Sequence, residues 1–322
     1  MNPVSAAAPD VPAAPPARPG RTERASATRV LVTGWSSFVH GEATAGDVLS
    51  MRHVSESLTA AGIPHDTAWS PRFRAEALHL EDADAGRYSH LVFVCGPIHG
   101  EQVRALHERY ATCRRIAVGV TVVDPADAAV TGFHRVLARD DRTTSRPDLS
   151  VAATTACVAV AGVVLAPGQT EYGAARRHRP VHEALGRWLA GLDCARVPLD
   201  TRLATDDWHH CATPDQLASV FSRLDAVVTT RLHGLVFGLR AGTPVLAVDP
   251  VAGGGKVTAQ ATALGWPAVV AAERVADPDT LDRWWTWCLS PSGRERARRQ
   301  NLPAADALTG ELLGELRREA QA

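Results

Sequence analysis

Short apolar runs alternate with helix-forming stretches along most of this chain, and no other feature of the sequence constrains the fold as strongly. The first run is RVLVTG at 29–34, and a helical pattern follows at 46–62, where Gly62 ends it. The same order recurs in HLVFVCG at 90–96 and the helical stretch at 101–111. Strands that alternate with helices in this way are joined by crossover connections, so the pattern predicts parallel β-sheet covered by α-helices.

The alternation continues to the end of the chain. Two helices are expected to close the chain, the last from about Ser292. The other strands are predicted at 115–123, 135–140, 162–168, 195–200, 226–230, 244–248 and 267–272, and the other helices at 181–192, 214–224 and 256–265, with one more between Thr230 and Gly242.

The chain is long enough for two such domains, since it has 322 residues of which 45% are hydrophobic. We predict an α/β fold with an N-terminal domain at 29–160 and a C-terminal domain at 161–322, facing each other across a cleft. Residues 1–28 are rich in Ala, Pro and Arg and lack the apolar segment of a signal peptide, which predicts a disordered tail. Ligands of open α/β sheets bind beyond the carboxyl ends of strands, so functional residues are sought there.

Charge and cysteine content exclude several function classes. The net charge is −1, which gives no reason to expect a nucleic acid partner. No apolar run reaches the roughly 18 residues of a membrane span. The six cysteines are scattered without a CxxC pair, which is typical of reduced thiols and predicts a cytoplasmic protein. A homo-oligomer is compatible with the sequence.

The segment VVTTRLHGLVFGLRAGTPVLAVD at 227–249 carries the strongest chemical signal. Arg231 and His233 fall in the first turn of a helix that directly follows a strand and ends at Gly242. Helix N-termini expose N–H groups and attract anions, and an arginine there adds a bidentate donor. The residues alone leave a second interpretation open, in which Arg231 pairs with Asp225 or Asp249 and His233 packs in the core.

Other strand-end loops offer weaker candidates. DPVAGGGKV places three glycines before Lys256, which suits a phosphate but is also typical of a flexible loop. RVLARDDRTTS ends a strand with Arg139, or forms a solvated turn. In the first half, His40, Asp47 and His99 lie in loops that could bind an acceptor or simply connect elements.

DDWHHC at 206–211 looks at first like a metal cluster. Adjacent His209 and His210 rarely face one ion, and no second ligand pair has the expected spacing, so no metal site is predicted.

The segment TTRLHGLVFGLRAGTPVLAVDPVAGGGK at 229–256 resembles the polysaccharide pyruvyl transferase family. The matching positions are Arg231, Leu232, His233, Gly242, Pro244 and Lys256. Arg139, Asp140 and Thr143 are similar to a strand-end Arg-Asp site of that family, and Gly46-Asp47 is similar to its start of the first helix. The chain departs from the family pattern at Gly238, where alanine is usual, and at CGPIHG, where a glycine-rich turn is usual.

The resemblance implies two Rossmann-like domains of the GT-B kind and transfer of a pyruvyl group from phosphoenolpyruvate to a hydroxylated acceptor as a ketal, without a cofactor. It implies Arg139, Arg231, Leu232, His233 and Lys256 as donor-binding residues, with His233 and Arg231 catalytic. Two alternatives remain: a sugar-nucleotide glycosyltransferase of the same architecture, and a non-catalytic binding module derived from the family. The acceptor could be a polysaccharide or a small natural product.

Overall fold

The computed structural model describes residues 28–299 and 306–319, so nearly all of the predicted tail lies outside the described residues. The chain forms two compact units that divide between Thr155 and Ala156. None of the described helices combines the length and hydrophobicity that crossing a bilayer requires.

The first unit is built on a five-stranded parallel sheet with strand order β2-β1-β3-β4-β5. Its strands are β1 (Val30–Gly34), β2 (His65–Thr67), β3 (His90–Val94), β4 (Arg114–Thr121) and β5 (Arg135–Asp140). Its α-helices are α1 (Ala45–Ala60), α2 (Gly100–Arg109) and α3 (Ala128–Thr131), and short 3-10 helices lie at Trp35–Ser37, Ala85–Arg87 and Leu149–Ala152.

The second unit repeats this design with a parallel sheet in the order β10-β9-β8-β6-β7. Its strands are β6 (Val160–Val164), β7 (Ala195–Pro198), β8 (Ala226–Thr229), β9 (Val245–Val248) and β10 (Val269–Val270). Its α-helices are α4 (His178–Gly191), α5 (Pro214–Phe221), α6 (Leu232–Arg240), α7 (Lys256–Ala263), α8 (Pro278–Leu289), α9 (Pro291–Arg298) and α10 (Asp306–Glu319), with 3-10 helices at Thr170–Ala175 and Ala272–Arg274.

The prediction of two Rossmann-like α/β domains is confirmed, since each unit carries five parallel strands joined by helices. Some details of the prediction were wrong. The strand β2 was not predicted, because HDT is short, polar and only half-buried. Three helices rather than two close the described chain, because Ser290 and Pro291 start a new helix directly after α8.

The two central strands of the second sheet, β8 and β9, are buried along their whole length. Parallel strands that are covered on both faces read as continuous apolar runs, as these do. The helix α6 connects them, and one of its faces is buried. That face presents Gly234, Leu235, Gly238 and Leu239 to the core.

Gly238 explains one departure from the family pattern. A Cβ atom at this position would lie 2.4 Å from the Val245 Cγ2 atom, so a larger residue would push α6 away from β9. The helix then ends at Gly242, whose φ of 73° is the left-handed conformation expected of a glycine stop.

Candidate functional site

In the second unit, loops from the carboxyl ends of neighbouring strands meet at a pocket of about 500 Å³. Residues 166–171 follow β6, the Arg231–His233 segment follows β8, and Lys256 opens the helix that follows β9. The structure thus brings together four predicted donor-binding residues: Arg231, Leu232, His233 and Lys256. We call this the Arg231 pocket.

The start of α6 faces the Arg231 pocket without a cap. Arg231 is the residue before the first helical position and has extended backbone angles (φ −117°, ψ 132°), and its side chain makes no capping hydrogen bond. Its backbone N–H donates instead to Thr229 Oγ1 at 2.9 Å, and that hydroxyl contacts the Val164 carbonyl at 2.9 Å. Because no side chain in the described structure caps this turn, its N–H groups and helix dipole remain available to an anion.

The guanidinium of Arg231 is only one-fifth exposed and donates through Nη1 to Asp200 Oδ1 at 2.6 Å. The alternative partners considered from the sequence, Asp225 and Asp249, were wrong. The carboxylate of Asp225 accepts the backbone N–H of Val160 at 2.8 Å, and that of Asp249 serves the glycine loop. Sequence reasoning missed Asp200, although it lies only two residues after the end of β7.

Asp200 is itself well supplied with donors. It accepts the Arg202 guanidinium at 2.7 Å and the Arg202 backbone N–H at 2.9 Å. Burial alone would raise the pKa of the Asp200 carboxyl, but the Arg202 hydrogen bonds and the charge of Arg231 outweigh burial and lower it. Arg231 can therefore share its donors with a ligand without leaving Asp200 unpaired.

The glycine loop before Lys256 is held in place by hydrogen bonds to a buried carboxylate. It is therefore not the flexible connection that the alternative interpretation of the sequence described. Asp249 is fully buried, and its Oδ2 accepts the Gly255 N–H at 2.7 Å and the Thr258 N–H at 2.8 Å. Its Oδ1 accepts the Val251 N–H at 3.1 Å. This buried carboxylate fixes the start of α7, and with it the base of the Lys256 side chain, at the pocket.

His233 is exposed at the second position of α6 and lines the Arg231 pocket. The alternative in which this histidine packs in the core is therefore wrong. An exposed imidazole beside an uncapped helix start is accessible to a bound ligand, which general acid–base chemistry requires.

Behind the pocket, two histidines of α4 brace its loops, and sequence reasoning missed both. His182 Nε2 lies 3.1 Å from Thr230 Oγ1, which also accepts the Ala166 N–H at 2.8 Å. His178 Nε2 lies 3.3 Å from the Gln169 side-chain oxygen. Burial lowers the pKa of both imidazoles, which favours their neutral forms as hydrogen-bonding braces.

In the first unit, the carboxyl ends of β1 and β3 lie side by side, since Gly34 pairs with Val94. The loops that follow these strands, with the start of α1, surround a second pocket of about 400 Å³. Its lining is Trp35, Glu42, Thr44, Asp47, Gly96, Pro97 and His99, and we call it the Trp35 pocket.

Two of the three predicted acceptor residues, Asp47 and His99, share the Trp35 pocket. The third, His40, is exposed and is not part of the lining in the described structure. Sequence reasoning missed Trp35, although it is the first residue after a buried strand. The acceptor role of these residues stays a prediction.

Arg139 also belongs to the first unit, and it does not sit in a solvated turn. Its guanidinium donates to Asp140 at 2.7 Å, to Asp148 at 2.6 Å and to Thr121 Oγ1 at 2.7 Å. Burial would raise the pKa of Asp148, but hydrogen bonds from Ser150 and Arg139 lower it to about 2. The predicted role of Arg139 in donor binding stays a prediction.

The tandem histidines of the loop after β7 turn toward one carboxylate. Asp207 contacts His209 Nδ1 at 2.7 Å and His210 Nδ1 at 3.0 Å. Among the described residues, no group of three or more His, Cys, Asp or Glu is arranged to hold a metal ion. All six cysteines are free thiols.

Comparison with known proteins supports the resemblance in the second unit. The family model for polysaccharide pyruvyl transferase matches residues 198–250, a segment that holds Asp200, Arg231 and His233. The resemblance noted in the sequence is thereby confirmed over this segment. No curated protein matches the chain.

Three solved structures are similar to most of the chain at low identity. The glycotransferase of kitacinnamycin has a TM-score of 0.30 and 14% identity, covering 89% of this chain and 99% of its own. The calicheamicin glycosyltransferase CalG4 has a TM-score of 0.31 and 12% identity, with coverages of 88% and 98%. The glycosyltransferase SnogD from Streptomyces nogalater has a TM-score of 0.24 and 14% identity, with coverages of 89% and 100%. Scores this low carry no argument about the present chain.

Proposed function

We propose that this chain is a pyruvyltransferase that moves a pyruvyl group from phosphoenolpyruvate to hydroxyls of a sugar or other polyol, where the group forms a ketal. The observation that carries the proposal is the convergence of Arg231, Lys256 and an uncapped helix start on one pocket. Phosphoenolpyruvate carries a carboxylate and a phosphate. Two cationic side chains and a helix N-terminus suit these two anionic groups.

The two cations of the Arg231 pocket are available to an anionic ligand, which would compete with their acidic partners in the protein. One hydrogen bond from the Arg231 guanidinium to protein is described, that from Nη1 to Asp200, so most of its five N–H donors can reach a ligand. The Lys256 Nζ atom lies 3.9 Å from the Glu171 carboxylate, a distance too long for a strong ion pair. Both cations can therefore turn to phosphoenolpyruvate at little cost.

The reaction that follows needs one proton to move onto carbon. A general acid protonates the methylene carbon of phosphoenolpyruvate, and an acceptor hydroxyl oxygen bonds to the neighbouring carbon as that hydroxyl loses its proton. The bond from that carbon to the phosphate oxygen then breaks and phosphate leaves. A second acceptor hydroxyl bonds to the same carbon and gives up its proton, which closes the ketal and leaves inorganic phosphate as the second product.

We assign His233 the proton transfers, because it is the exposed imidazole of the Arg231 pocket. Arg231 and Lys256 balance the negative charge of the carboxylate and of the departing phosphate. Arg139 is kept as a further donor-binding residue on the strength of the family resemblance.

A ligand panel tests this proposal against its alternatives. The purified protein is titrated with phosphoenolpyruvate and, separately, with nucleotide sugars such as UDP-glucose, and is then incubated with phosphoenolpyruvate and polyols. We expect binding of phosphoenolpyruvate, release of inorganic phosphate that depends on the polyol, and a ketal product detected by mass spectrometry. Binding of nucleotide sugars without binding of phosphoenolpyruvate would instead establish the glycosyltransferase alternative. Binding without any turnover would favour the non-catalytic module.

A further inference from the structure

The Trp35 pocket has a built aromatic wall. The indole N–H of Trp35 donates to the Pro97 carbonyl at 2.9 Å, and the Trp35 ring contacts Phe38 and Phe93 edge-on at centroid distances of 5.5 and 6.3 Å. The His99 ring lies beside the indole, tilted by 34° at 5.3 Å. These contacts fix the orientation of an indole that nevertheless remains partly exposed at the pocket.

The backbone of the neighbouring loop is shaped around this indole. Gly96 has a φ of 73°, and a Cβ atom there would lie 2.3 Å from Trp35 Cδ1. Cys95 before it also has a positive φ, of 64°, which is uncommon for a residue other than glycine. Left-handed backbone costs free energy at Cys95, though not at Gly96, and such strain concentrates at ligand-binding sites. The indole ring of Trp35 is therefore held in place by a strained backbone, which a loop that only connects two elements would not need.

The charges of the Trp35 pocket disfavour an anionic ligand. Its lining carries the carboxylates of Glu42 and Asp47 and neither lysine nor arginine. The guanidinium of Arg139 is not part of this lining, and it is paired with Asp140 and Asp148. A phosphate or carboxylate brought here would meet like charge without a compensating cation.

The same groups define what the pocket can hold. Ionised carboxylates only accept hydrogen bonds, so a ligand must bring hydroxyl or ammonium donors. An indole face offers apolar area and attracts cations. A ring with an apolar C–H face and polar hydroxyls at its edge meets both requirements, and an added amine would gain further from the carboxylates.

We propose that the Trp35 pocket binds the acceptor ring of the transfer reaction and selects hydroxylated rings that are neutral or carry an amine over rings that carry a phosphate or carboxylate. The acceptor role rests on the proposed pyruvyltransferase function, whereas the binding preference stands on the first unit alone.

Ligand-observed saturation-transfer NMR on the full chain tests this preference without phosphoenolpyruvate. The probes are the methyl glycosides of glucose, galactose and mannose, together with glucosamine, glucuronate and glucose 6-phosphate at equal concentration. We expect the amine and at least one neutral ring to show signal transfer that Trp35→Ala removes, and the two anions to show none that depends on Trp35, because their charged groups suit the Arg231 pocket instead. Equal or stronger Trp35-dependent transfer to the anions, or no transfer to any neutral or amino ring, would overturn the proposal.

Two pairs of variants locate the binding. Trp35→Ala should weaken ring binding by roughly three- to tenfold, the range of an aromatic ring contact, while Trp208→Ala removes an indole that is 87% exposed in the second unit and should change nothing. Glu42→Gln, at an exposed residue with no described partner, should reduce the preference for glucosamine over the neutral rings without affecting folding, because Asp47 remains, and Glu76→Gln is its matched control. Unchanged binding in both Trp35→Ala and Glu42→Gln would place the ligand elsewhere.

The outcomes separate this inference from the proposed function. Ring binding at Trp35 with no binding of phosphoenolpyruvate to the wild-type protein would contradict the proposed transferase function but support the ring-binding site. Binding of phosphoenolpyruvate and turnover of an anionic acceptor would support the transferase function but contradict the proposed preference of the site.

Discussion

The Arg231 pocket and the Trp35 pocket arise from the same topology yet carry opposite charge. Both follow the carboxyl ends of adjacent parallel strands. In the second unit the helix start is uncapped and lies beside Arg231. In the first unit Thr44 accepts the Asp47 N–H at 3.2 Å and caps α1, and Asp47 adds a negative charge to that first turn. The topology places the loops, and the residues at the helix start determine whether the pocket suits an anionic or a cationic ligand.

The largest effect is expected at the imidazole of the Arg231 pocket. His233→Ala should lower turnover by about 10²- to 10⁴-fold, the usual contribution of general acid–base catalysis. Binding of phosphoenolpyruvate should change much less, because the cations remain. Steady-state kinetics and titration measure the two effects, and His53→Ala in the first unit is the control. Near-wild-type turnover of His233→Ala would remove the histidine from the mechanism.

The next effect concerns the buried carboxylate that shapes the Arg231 pocket. Asp249→Ala should lower the free energy of unfolding by at least about 2 kcal/mol, because buried N–H groups of the glycine loop lose their acceptor. Phosphoenolpyruvate should also bind more weakly, since the start of α7 is no longer fixed.

Thermal and chemical denaturation compare Asp249→Ala with Asp215→Ala, which alters an exposed residue of another helix start. Equal stability of the two variants would mean that Asp249 does not hold the loop.

A smaller effect tests the aromatic wall of the Trp35 pocket. Gly96→Ala should cost about 1–3 kcal/mol of stability from its left-handed backbone and should displace the indole, so ring binding is lost. Gly100→Ala is a matched control, since Gly100 also has a positive φ, of 83°, but a Cβ atom there meets nothing within 4 Å. If both variants lose ring binding equally, displacement of the indole does not explain the loss.

The smallest effects come from the exposed pair at the edge of the Arg231 pocket. Lys256→Ala should weaken binding of phosphoenolpyruvate by roughly three- to fivefold, and Glu171→Gln should strengthen it by a similar factor, since partly exposed charges contribute up to about 1 kcal/mol. Both effects should shrink as salt is raised. Titrations at two salt concentrations measure them, with Arg179→Ala as a control for lost surface charge. Changes of the same sign in the two variants would contradict the electrostatic account.

The second unit could be predicted from sequence further than the first. The apolar runs of β8 and β9 and the stop at Gly242 specify strand, helix and strand, and the carboxyl-end rule then places Arg231 and His233 at a ligand site. The partner of Arg231 could not be predicted, because Asp200 is distant in sequence whereas Asp225 and Asp249 lie closer to Arg231 along the chain.

In the first unit, the sequence pattern located the loops but did not show which of their residues line the pocket. Trp35 reads as another buried aromatic, and its partial exposure depends on the backbone of Cys95 and Gly96, which no periodicity reveals. His40 was chosen for its residue type, yet neighbouring loop residues line the pocket instead. A rule that places loops does not fix the direction of each side chain.

Calorimetric titration of phosphoenolpyruvate into the wild-type protein, Arg231→Ala and Arg240→Ala tests the central claim most directly. The two arginines stand at opposite ends of α6, so the variants remove the same side chain from the same helix. We predict binding near 1 μM, or about −8 kcal/mol, for the wild type and for Arg240→Ala, and binding weaker by about ten- to a hundredfold for Arg231→Ala, as expected for lost charge-assisted hydrogen bonds. A folded wild-type protein that does not bind phosphoenolpyruvate, or an Arg231→Ala variant that binds it as well as the wild type, would contradict the account.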